Sequence, residues 1–246
     1  MSSDQGVGAI LMAGGQGTRL RPYTTVLPKP LMPLGDRPIL ELLLRQLAAN
    51  GVERVYVAVN YLKALIQAVV GDGSHLGMRI EYAVEDQPLG TCGPVSQVLD
   101  DMAENFLLLN GDLLTDMSFS ELLTRHVSAG ADATIAGVRR VTRLEYGVLD
   151  IHDNGRLAGI REKPASENIL SMGVYALRRE AVRPLVTPGQ RLDMPDLLQK
   201  MLMTGGFVNT HITDCRWLDI GRPEDFVEAQ ALVEQYQYAT FHEKPA

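Results

Sequence analysis

Short apolar runs alternate with stretches of helical period along the chain. The first run, GAILMA at 8–13, breaks into a glycine-rich turn. Apolar spacing then predicts a helix over 39–50, stopped by Gly51. RVYVAVN at 54–60 reads as a strand, 62–70 as a helix, RIEYAVE at 79–85 as a strand and 93–103 as a helix. NFLLLNGD at 105–112 is apolar on successive residues. Such continuous runs are expected of strands buried on both faces, as in a parallel sheet covered by helices.

The second half changes character. Ser118 and Glu121 have the spacing of a capping box opening a helix that runs to about Ala129. Asn154-Gly155 lies between two β-like runs, a hairpin signal, so an antiparallel excursion is expected around 145–163. A strand at 169–177, helical patterns near 179–186 and 195–204, and a strand or loop over 208–214 follow. Pro223, with Glu224 and Asp225 behind it, begins a last helix whose apolar face is Phe226, Ala229, Val233 and Tyr236. The tail after Ala239 reads as frayed. With no linker and no hexapeptide repeat, the expectation is one α/β domain over 1–246, core about 8–236, with no β-helix appended. Its architecture is expected to be a three-layer α/β/α sandwich, Rossmann-like, with a mostly parallel mixed sheet and an antiparallel insertion.

Composition narrows the function. The chain has 246 residues, 46% hydrophobic and 22% charged, and a net charge of −7. That is a globular mix, and the acidic balance argues against a general nucleic-acid binder. Two cysteines, Cys92 and Cys215, form no disulfide framework and are expected to be small buried hydrophobes. No signal-peptide pattern or membrane-length apolar run is visible, so a cytoplasmic protein without membrane partners is expected. The five histidines have no metal-ligand spacing.

Candidate chemistry begins in Ala13-Gly14-Gly15-Gln16-Gly17-Thr18-Arg19. Gly14, Gly15 and Gly17 let the backbone approach a ligand closely and turn N–H groups toward it, and Arg19 offers paired donors to phosphate. A glycine cluster after a strand is also a common tight turn. The dinucleotide fingerprint's third glycine is missing, and no G-K-[ST] makes this a P-loop. Lys29, between Pro28 and Pro30, is expected on a stiff extended segment, positioned at low entropic cost. Asp112 ends the strand FLLLNGD and Asp219 lies in WLDIG. Two carboxylates so placed suit Mg²⁺, although each also reads as an ordinary cap of a turn or helix. Glu162-Lys163 reads equally as a solvated charge pair.

GGQGTRLRPYT followed by LPKPLMPL resembles the nucleotidyltransferase family that joins NTPs to sugar 1-phosphates. The resemblance continues through QPLGTCGPV, LLNGDLL, EKP, SMGVY and WLDIGRPEDF, covering about 8–236. Within the family it is most similar to the mannose-1-phosphate guanylyltransferase branch. The resemblance implies nucleotide binding by Ala13, Gly14, Gly15, Gly17, Thr18, Arg19, Glu85, Gly90 and Thr91. It also implies Mg²⁺ on Asp112 and Asp219, and sugar-phosphate contacts from Tyr146, Gly147, Glu162 and Lys163. Catalytic roles are implied for Arg19, Lys29, Asp112 and Lys163.

Glu85 matches the position that reads the base edge, and one carboxylate can accept the two adjacent N–H donors of guanine, which favours GTP. A glutamate at a strand end also commonly points into water. Ser171 stands where family members carry an asparagine nearby that meets the sugar, so the sugar stays open. The expected reaction is direct attack of the sugar 1-phosphate on the α-phosphorus of the NTP, releasing pyrophosphate, with no covalent enzyme intermediate. A uridylyl- or thymidylyltransferase and a non-catalytic nucleotide-sugar sensor are the alternatives. A glycosyltransferase would carry a D-x-D motif, which Asp112-Leu113-Leu114 does not match. Family members often form dimers or tetramers, so a homo-oligomer is open.

Overall fold

A computed structural model describes residues 7–235. The strands and helices are, in chain order, β1 (Gly8–Met12), β2 (Pro33–Leu34), β3 (Arg37–Pro38), α1 (Ile39–Ala49), β4 (Arg54–Val59), α2 (Lys63–Val70) and β5 (Arg79–Val84). Next come α3 (Val95–Val98), β6 (Asn105–Asn110), β7 (Leu113–Thr115), α4 (Phe119–Ala129), β8 (Ala133–Arg143), β9 (Val148–Ile151) and β10 (Leu157–Arg161). The chain continues through β11 (Ala165–Arg178), α5 (Arg179–Val182), α6 (Met194–Met203), β12 (Val208–Thr213), β13 (Trp217–Asp219) and α7 (Pro223–Gln235).

The central sheet has seven strands in the order β12-β8-β11-β6-β1-β4-β5. β11 alone runs against the others, pairing antiparallel with β6 and β8. This is the mixed, mostly parallel sheet of the expected α/β class. The alternation of side chains explains the continuous apolar runs. Ala9 and Leu11 of β1, Val55, Val57 and Val59 of β4, and Leu107 and Leu109 of β6 pack into one core layer with α1, α2 and α4. Ile10, Tyr56, Ala58, Phe106 and Leu108 point the other way, into a second layer with α3 and α6. A third cluster joins Leu20, Met32 and Leu34 to Leu114, Leu218, Ile220 and the α7 residues Ala229 and Val233.

Several expectations change in detail. The helix expected over 93–103 is only α3 followed by a 3₁₀ turn at Leu99–Asp101, where two aspartates oppose a helix C-terminus. Near 179–186, α5 also gives way to a 3₁₀ turn, at Arg183–Leu185, because Pro184 has no N–H to continue it. The excursion expected at 145–163 is the hairpin β9–β10, a separate two-stranded sheet turned at Gly155 with φ +79°. No strand is legible over Ala133–Arg143, yet β8 is one of the two longest; its buried residues lie in its first half and Arg139–Arg143 are exposed. Only half of the capping box forms: Ser118 Oγ accepts from the Glu121 N–H, while the Glu121 carboxylate pairs with Arg125. Cys92 is buried, and desolvation raises its pKa to about 12, but Cys215 is only partly buried and lies against Thr115. Tyr236 and the tail after Ala239 lie outside the described residues.

His126 on α4 is fully buried, with its ring nitrogens 2.9 Å from Thr134 Oγ1 and 3.1 Å from Asn105 Oδ1. Desolvation, then the nearby Arg178 charge, lowers its pKa below the ordinary histidine value. Below that ordinary value, about 6.5, the unfolded chain takes up a proton that the folded chain resists. Its contribution to stability is therefore present above the ordinary pKa and lost as pH falls below it. In denaturant unfolding at about pH 7.5 and about pH 5.5, the wild type is expected to lose more stability than His126→Gln. Equal losses would show that this ring does not control the dependence.

Candidate functional site

The site lies at the carboxyl ends of β1 and β6, where open α/β sheets place ligands. A cleft of about 320 Å³ is lined there by Met12, Ala13, Gly14 and Gly15 after β1, and by Asn110 and Asp112 after β6. Lys29 and Pro30 form one wall; Glu85, Pro88, Gly90, Thr91, Arg191 and Asp193 form the other.

Lys29 is not on an extended segment. Pro28 is extended, but Lys29–Leu31 form a 3₁₀ turn closed by Leu31 N–H to Pro28 O at 2.8 Å and Met32 N–H to Lys29 O at 3.0 Å. Pro30 fits such a turn because its fixed φ suits it and its missing N–H is not needed. The turn buries Lys29 to 7% exposure and directs its ammonium onto Asp112 Oδ2. Asp219 Oδ1 lies 4.0 Å from the same nitrogen.

The short sheet β7–β13 brings the two carboxylates together. It pairs Asp219 with Leu113, and the Ile220 N–H donates to Asp112 O at 3.2 Å. Leu218 and Ile220, on either side of Asp219, are buried in the third cluster, which leaves Asp219 facing the site. Desolvation, then the Asp112 charge, raises the Asp219 pKa, with Lys29 and Arg19 opposing, although solvent still reaches 45% of the side chain. Asp112 Oδ1 is buried without a hydrogen-bond partner. An orphan carboxylate oxygen beside a second, partly exposed carboxylate fits a hard divalent cation. No group of three or more His, Cys, Asp or Glu side chains forms a metal cluster among the described residues. Two protein ligands, completed by phosphate and water, match the habit of Mg²⁺.

Arg19 sits in a 3₁₀ turn, Thr18–Leu20, anchored by buried Leu20. Its guanidinium lies against Gly221, where an added Cβ would come within 3.2 Å of Nη2. Gly17, with φ +59°, is the residue the loop requires: an added Cβ would meet Thr24 Cγ2 at 2.9 Å and Lys29 Cβ at 3.0 Å. Thr24, itself buried, donates to Gly17 O at 2.8 Å. At Gly15 a Cβ would meet nothing within 4 Å, so the fold does not require that glycine.

Glu85 does not point into water. It is 5% exposed, and its Oε2 accepts from the Leu89 N–H at 2.8 Å. Its Oε1 faces Gly14, where a Cβ would lie 2.6 Å away. Burial raises its pKa, with the Leu89 hydrogen bond opposing. Thr91 N–H donates to Asp193 Oδ1 at 2.9 Å, Met194 N–H donates to Thr91 Oγ1 at 2.8 Å, and Leu192 N–H donates to Leu89 O at 2.9 Å. These bonds latch the 85–93 loop onto the entry to α6. Gly90, with φ +83°, leaves room for Asp193.

Tyr146, Gly147, Glu162 and Lys163 are not among the residues lining this cleft; they are exposed on the β9–β10 hairpin and its ends. Gly147 and Glu162 lie together, since a Cβ on Gly147 would meet Glu162 Oε2 at 3.0 Å. Asn110, Thr24 and Gly221 escaped the residue-by-residue reading although they lie inside recognised motifs. Arg191 and Asp193 carry no sequence signal, because only the fold brings them beside Thr91.

The site thus sets a glycine loop at the carboxyl edge of a parallel-rich α/β sheet beside Lys29 and two carboxylates. The chain belongs to the Nucleotidyl transferase family, whose profile matches residues 8–236. It is 33% identical over 231 residues to "Mannose-1-phosphate guanylyltransferase" of Mycobacterium tuberculosis, covering 92% of this chain and 64% of that protein. It is 31% identical over 240 residues to "UTP--glucose-1-phosphate uridylyltransferase" of Synechocystis, covering 90% and 62%. The chain thus spans less than two thirds of the length of these relatives. The crystal structure of HddC from Yersinia pseudotuberculosis superposes with a TM-score of 0.73 at 25% identity, covering 94% of this chain and 100% of that one. No helix of the described residues is long and apolar enough to cross a membrane.

Gly17→Ala is expected to lower the unfolding free energy by at least about 1–2 kcal/mol, the cost of left-handed backbone for an L-residue. Gly15→Ala is expected to leave stability unchanged. Denaturant unfolding of both variants checks the contrast, and equal effects would contradict the loop geometry.

Proposed function

We propose that this chain is a sugar-1-phosphate nucleotidylyltransferase that transfers a nucleotidyl group from an NTP, GTP favoured, to a sugar 1-phosphate such as mannose 1-phosphate or a related hexose or heptose 1-phosphate. The observation that carries the reading is the convergence of Lys29, Asp112 and Asp219 beside the glycine loop. The names of the relatives agree with the class and include both guanylyl and uridylyl transfer.

In this reading the sugar phosphate oxygen attacks the α-phosphorus and pyrophosphate leaves. The nucleophile is already ionised, so the protein needs no covalent nucleophile; it aligns the reactants and neutralises charge. Gly14, Gly15 and Gly17 give the phosphate chain backbone access, with Ala13 and Thr18 on either side of them. Lys29 and Arg19 stabilise charge at the α-phosphate and the leaving group. Asp112 and Asp219 would hold Mg²⁺, which would supply polarisation of the phosphate. On nucleotide binding, the Lys29 ammonium exchanges some of its carboxylate contact for phosphate. Glu85 accepts from the guanine edge through the oxygen that Leu89 leaves free, with Gly90 and Thr91 framing the base. Tyr146, Gly147, Glu162 and Lys163 receive the sugar 1-phosphate, Lys163 on its phosphate. A cytoplasmic location is the setting this substrate pair implies.

Pyrophosphate release with Mg²⁺, sugar 1-phosphates and each of GTP, UTP, dTTP, CTP and ATP tests the reading. GTP is expected to be fastest, and Arg19→Ala or Asp112→Ala is expected to cost about 10²–10³-fold in turnover. No release with any pair would overturn the enzyme assignment, and a UTP or dTTP preference would overturn the role of Glu85. The Asp219 carboxyl must be ionised to hold metal, and its pKa is raised. Mg²⁺ affinity is therefore expected to weaken as pH falls, and at higher pH than for a carboxyl without this burial. Titrating Mg²⁺ at several pH values with Asp219→Asn beside the wild type checks this, because the variant should lose that dependence.

A further inference from the structure

The cleft wall opposite Lys29 is made by two segments far apart in sequence, 85–93 and 190–193. Backbone hydrogen bonds lock them together. The Leu192 N–H donates to Leu89 O at 2.9 Å, and the Cys92 and Gly93 N–H groups donate to Leu192 O at 2.9 and 3.0 Å. Arg191 is the residue just before this anchor, so its backbone is held beside the loop that carries Glu85, Gly90 and Thr91. Its side chain lines the cleft and is 72% exposed. The guanidinium Nη2 lies 3.2 Å from Asp193 Oδ2, a solvent-screened pair that holds the fork only weakly. The other oxygen, Asp193 Oδ1, accepts from the Thr91 N–H at 2.9 Å. One carboxylate therefore ties Arg191 to the loop.

In the functional reading above, this wall meets the base. Glu85 accepts from the N1–H and N2–H groups of guanine and leaves O6 and N7, both acceptors, unmatched. Most of the wall cannot match them. Glu85 and Asp193 are themselves acceptors, and Pro88 and Gly90 bring no side-chain donor. The Thr91 hydroxyl already accepts from the Met194 N–H at 2.8 Å and lies 3.4 Å from Asp193 Oδ1. Lys29, across the cleft, is committed to Asp112. Arg191 supplies the missing chemistry, because a guanidinium has only donors, in a planar fork that fits O6 and N7 of one guanine. The match is selective as well. Adenine carries an amino group where guanine has O6, so the fork would meet a donor there.

We propose that Arg191 is a specificity-determining residue that exchanges its contact with Asp193 for paired donation to the O6 and N7 edge of a guanine base. Asp193 is its positioning residue, holding the fork beside the loop until the base arrives. The inference rests on the guanylyl reading above, and it assigns the edge of the base that Glu85 leaves unread.

The analogue 7-deaza-GTP, which has carbon in place of N7, tests it. Calorimetry with Mg²⁺ reads the affinity of the full chain for GTP, 7-deaza-GTP and UTP, as wild type and as Arg191→Leu. The wild type is expected to bind 7-deaza-GTP about tenfold more weakly than GTP. Arg191→Leu is expected to bind GTP about tenfold more weakly than the wild type does, and to bind the two purine nucleotides equally. Its affinity for UTP, which has no N7 edge, is expected to stay close to that of the wild type, which also checks folding. A wild type that binds GTP and 7-deaza-GTP equally, or binds neither, would overturn the contact. So would a variant that weakens all three nucleotides alike, since that marks a general attraction to the triphosphate. Failure of the underlying reading looks different: the wild type then turns over UTP or dTTP faster than GTP, or releases no pyrophosphate, and the calorimetry still decides the Arg191 contact.

Discussion

The site depends on one buried cation held between two carboxylates. Lys29 is 7% exposed, so its ammonium has given up most of its hydration and needs compensation from Asp112 and Asp219. Removing one partner of a buried ion pair typically costs about 3–5 kcal/mol, because the remaining charge stays desolvated. Here three charges share the arrangement, and the balance is incomplete. Lys29 and Arg19 both act on Asp219, yet Asp112 Oδ1 has no hydrogen-bond partner, and burial and the Asp112 charge raise the Asp219 pKa. The pair of carboxylates is thus incompletely compensated, which favours a further cation. Phosphate then has a cation to meet.

That balance is maintained by apolar packing outside the cleft. Leu20 follows Arg19, Leu31 and Met32 follow Lys29 in the same turn, Leu113 and Leu114 follow Asp112, and Leu218 and Ile220 flank Asp219; all are buried. Most of them meet in the third cluster, with α7 packed against it. Alternation along β13 and the tight 3₁₀ turns convert this burial into direction. Once the apolar neighbour goes inward, the charged residue beside it has only the cleft to face. The chemistry is carried by loops, but each loop is fixed by a leucine, isoleucine or methionine next to the functional residue.

How much of this was legible in the sequence follows from the range of the signals. Strands buried on both faces were readable because their interior positions are apolar in succession, as in β1, β4 and β6. β8 was not readable, because its second half, Arg139–Arg143, leaves the sheet core and loses the apolar pattern. The glycine loop, Lys29, Asp112 and Asp219 stood out through motifs, but the turn holding Lys29 did not, because prolines on both sides suit an extended segment and a 3₁₀ turn alike. Glu85 could be read as buried or solvated until Gly14 was placed against it. The latch from Thr91 to Asp193 joins segments far apart in sequence, and neither end has a local pattern that names the other.

The two groups of site residues rest on very different foundations. The cleft residues are bracketed by three packed clusters and by the latch onto α6. Tyr146, Gly147, Glu162 and Lys163 ride on a stretch without one buried residue, held to itself by ladder hydrogen bonds and exposed ion pairs such as Asp150–Arg161 and Arg139–Glu167. Exposed pairs of this sort contribute about 0–1 kcal/mol each, too little to offset the ordering entropy of so many residues. The strands emerge from β8 and β11, which are anchored only where they enter the central sheet. Packing therefore falls away from the sheet toward the hairpin. A well-packed nucleotide side and a thinly packed opposing lobe make the orientation of the second group, rather than the cleft, the part of the site held by the fewest buried contacts.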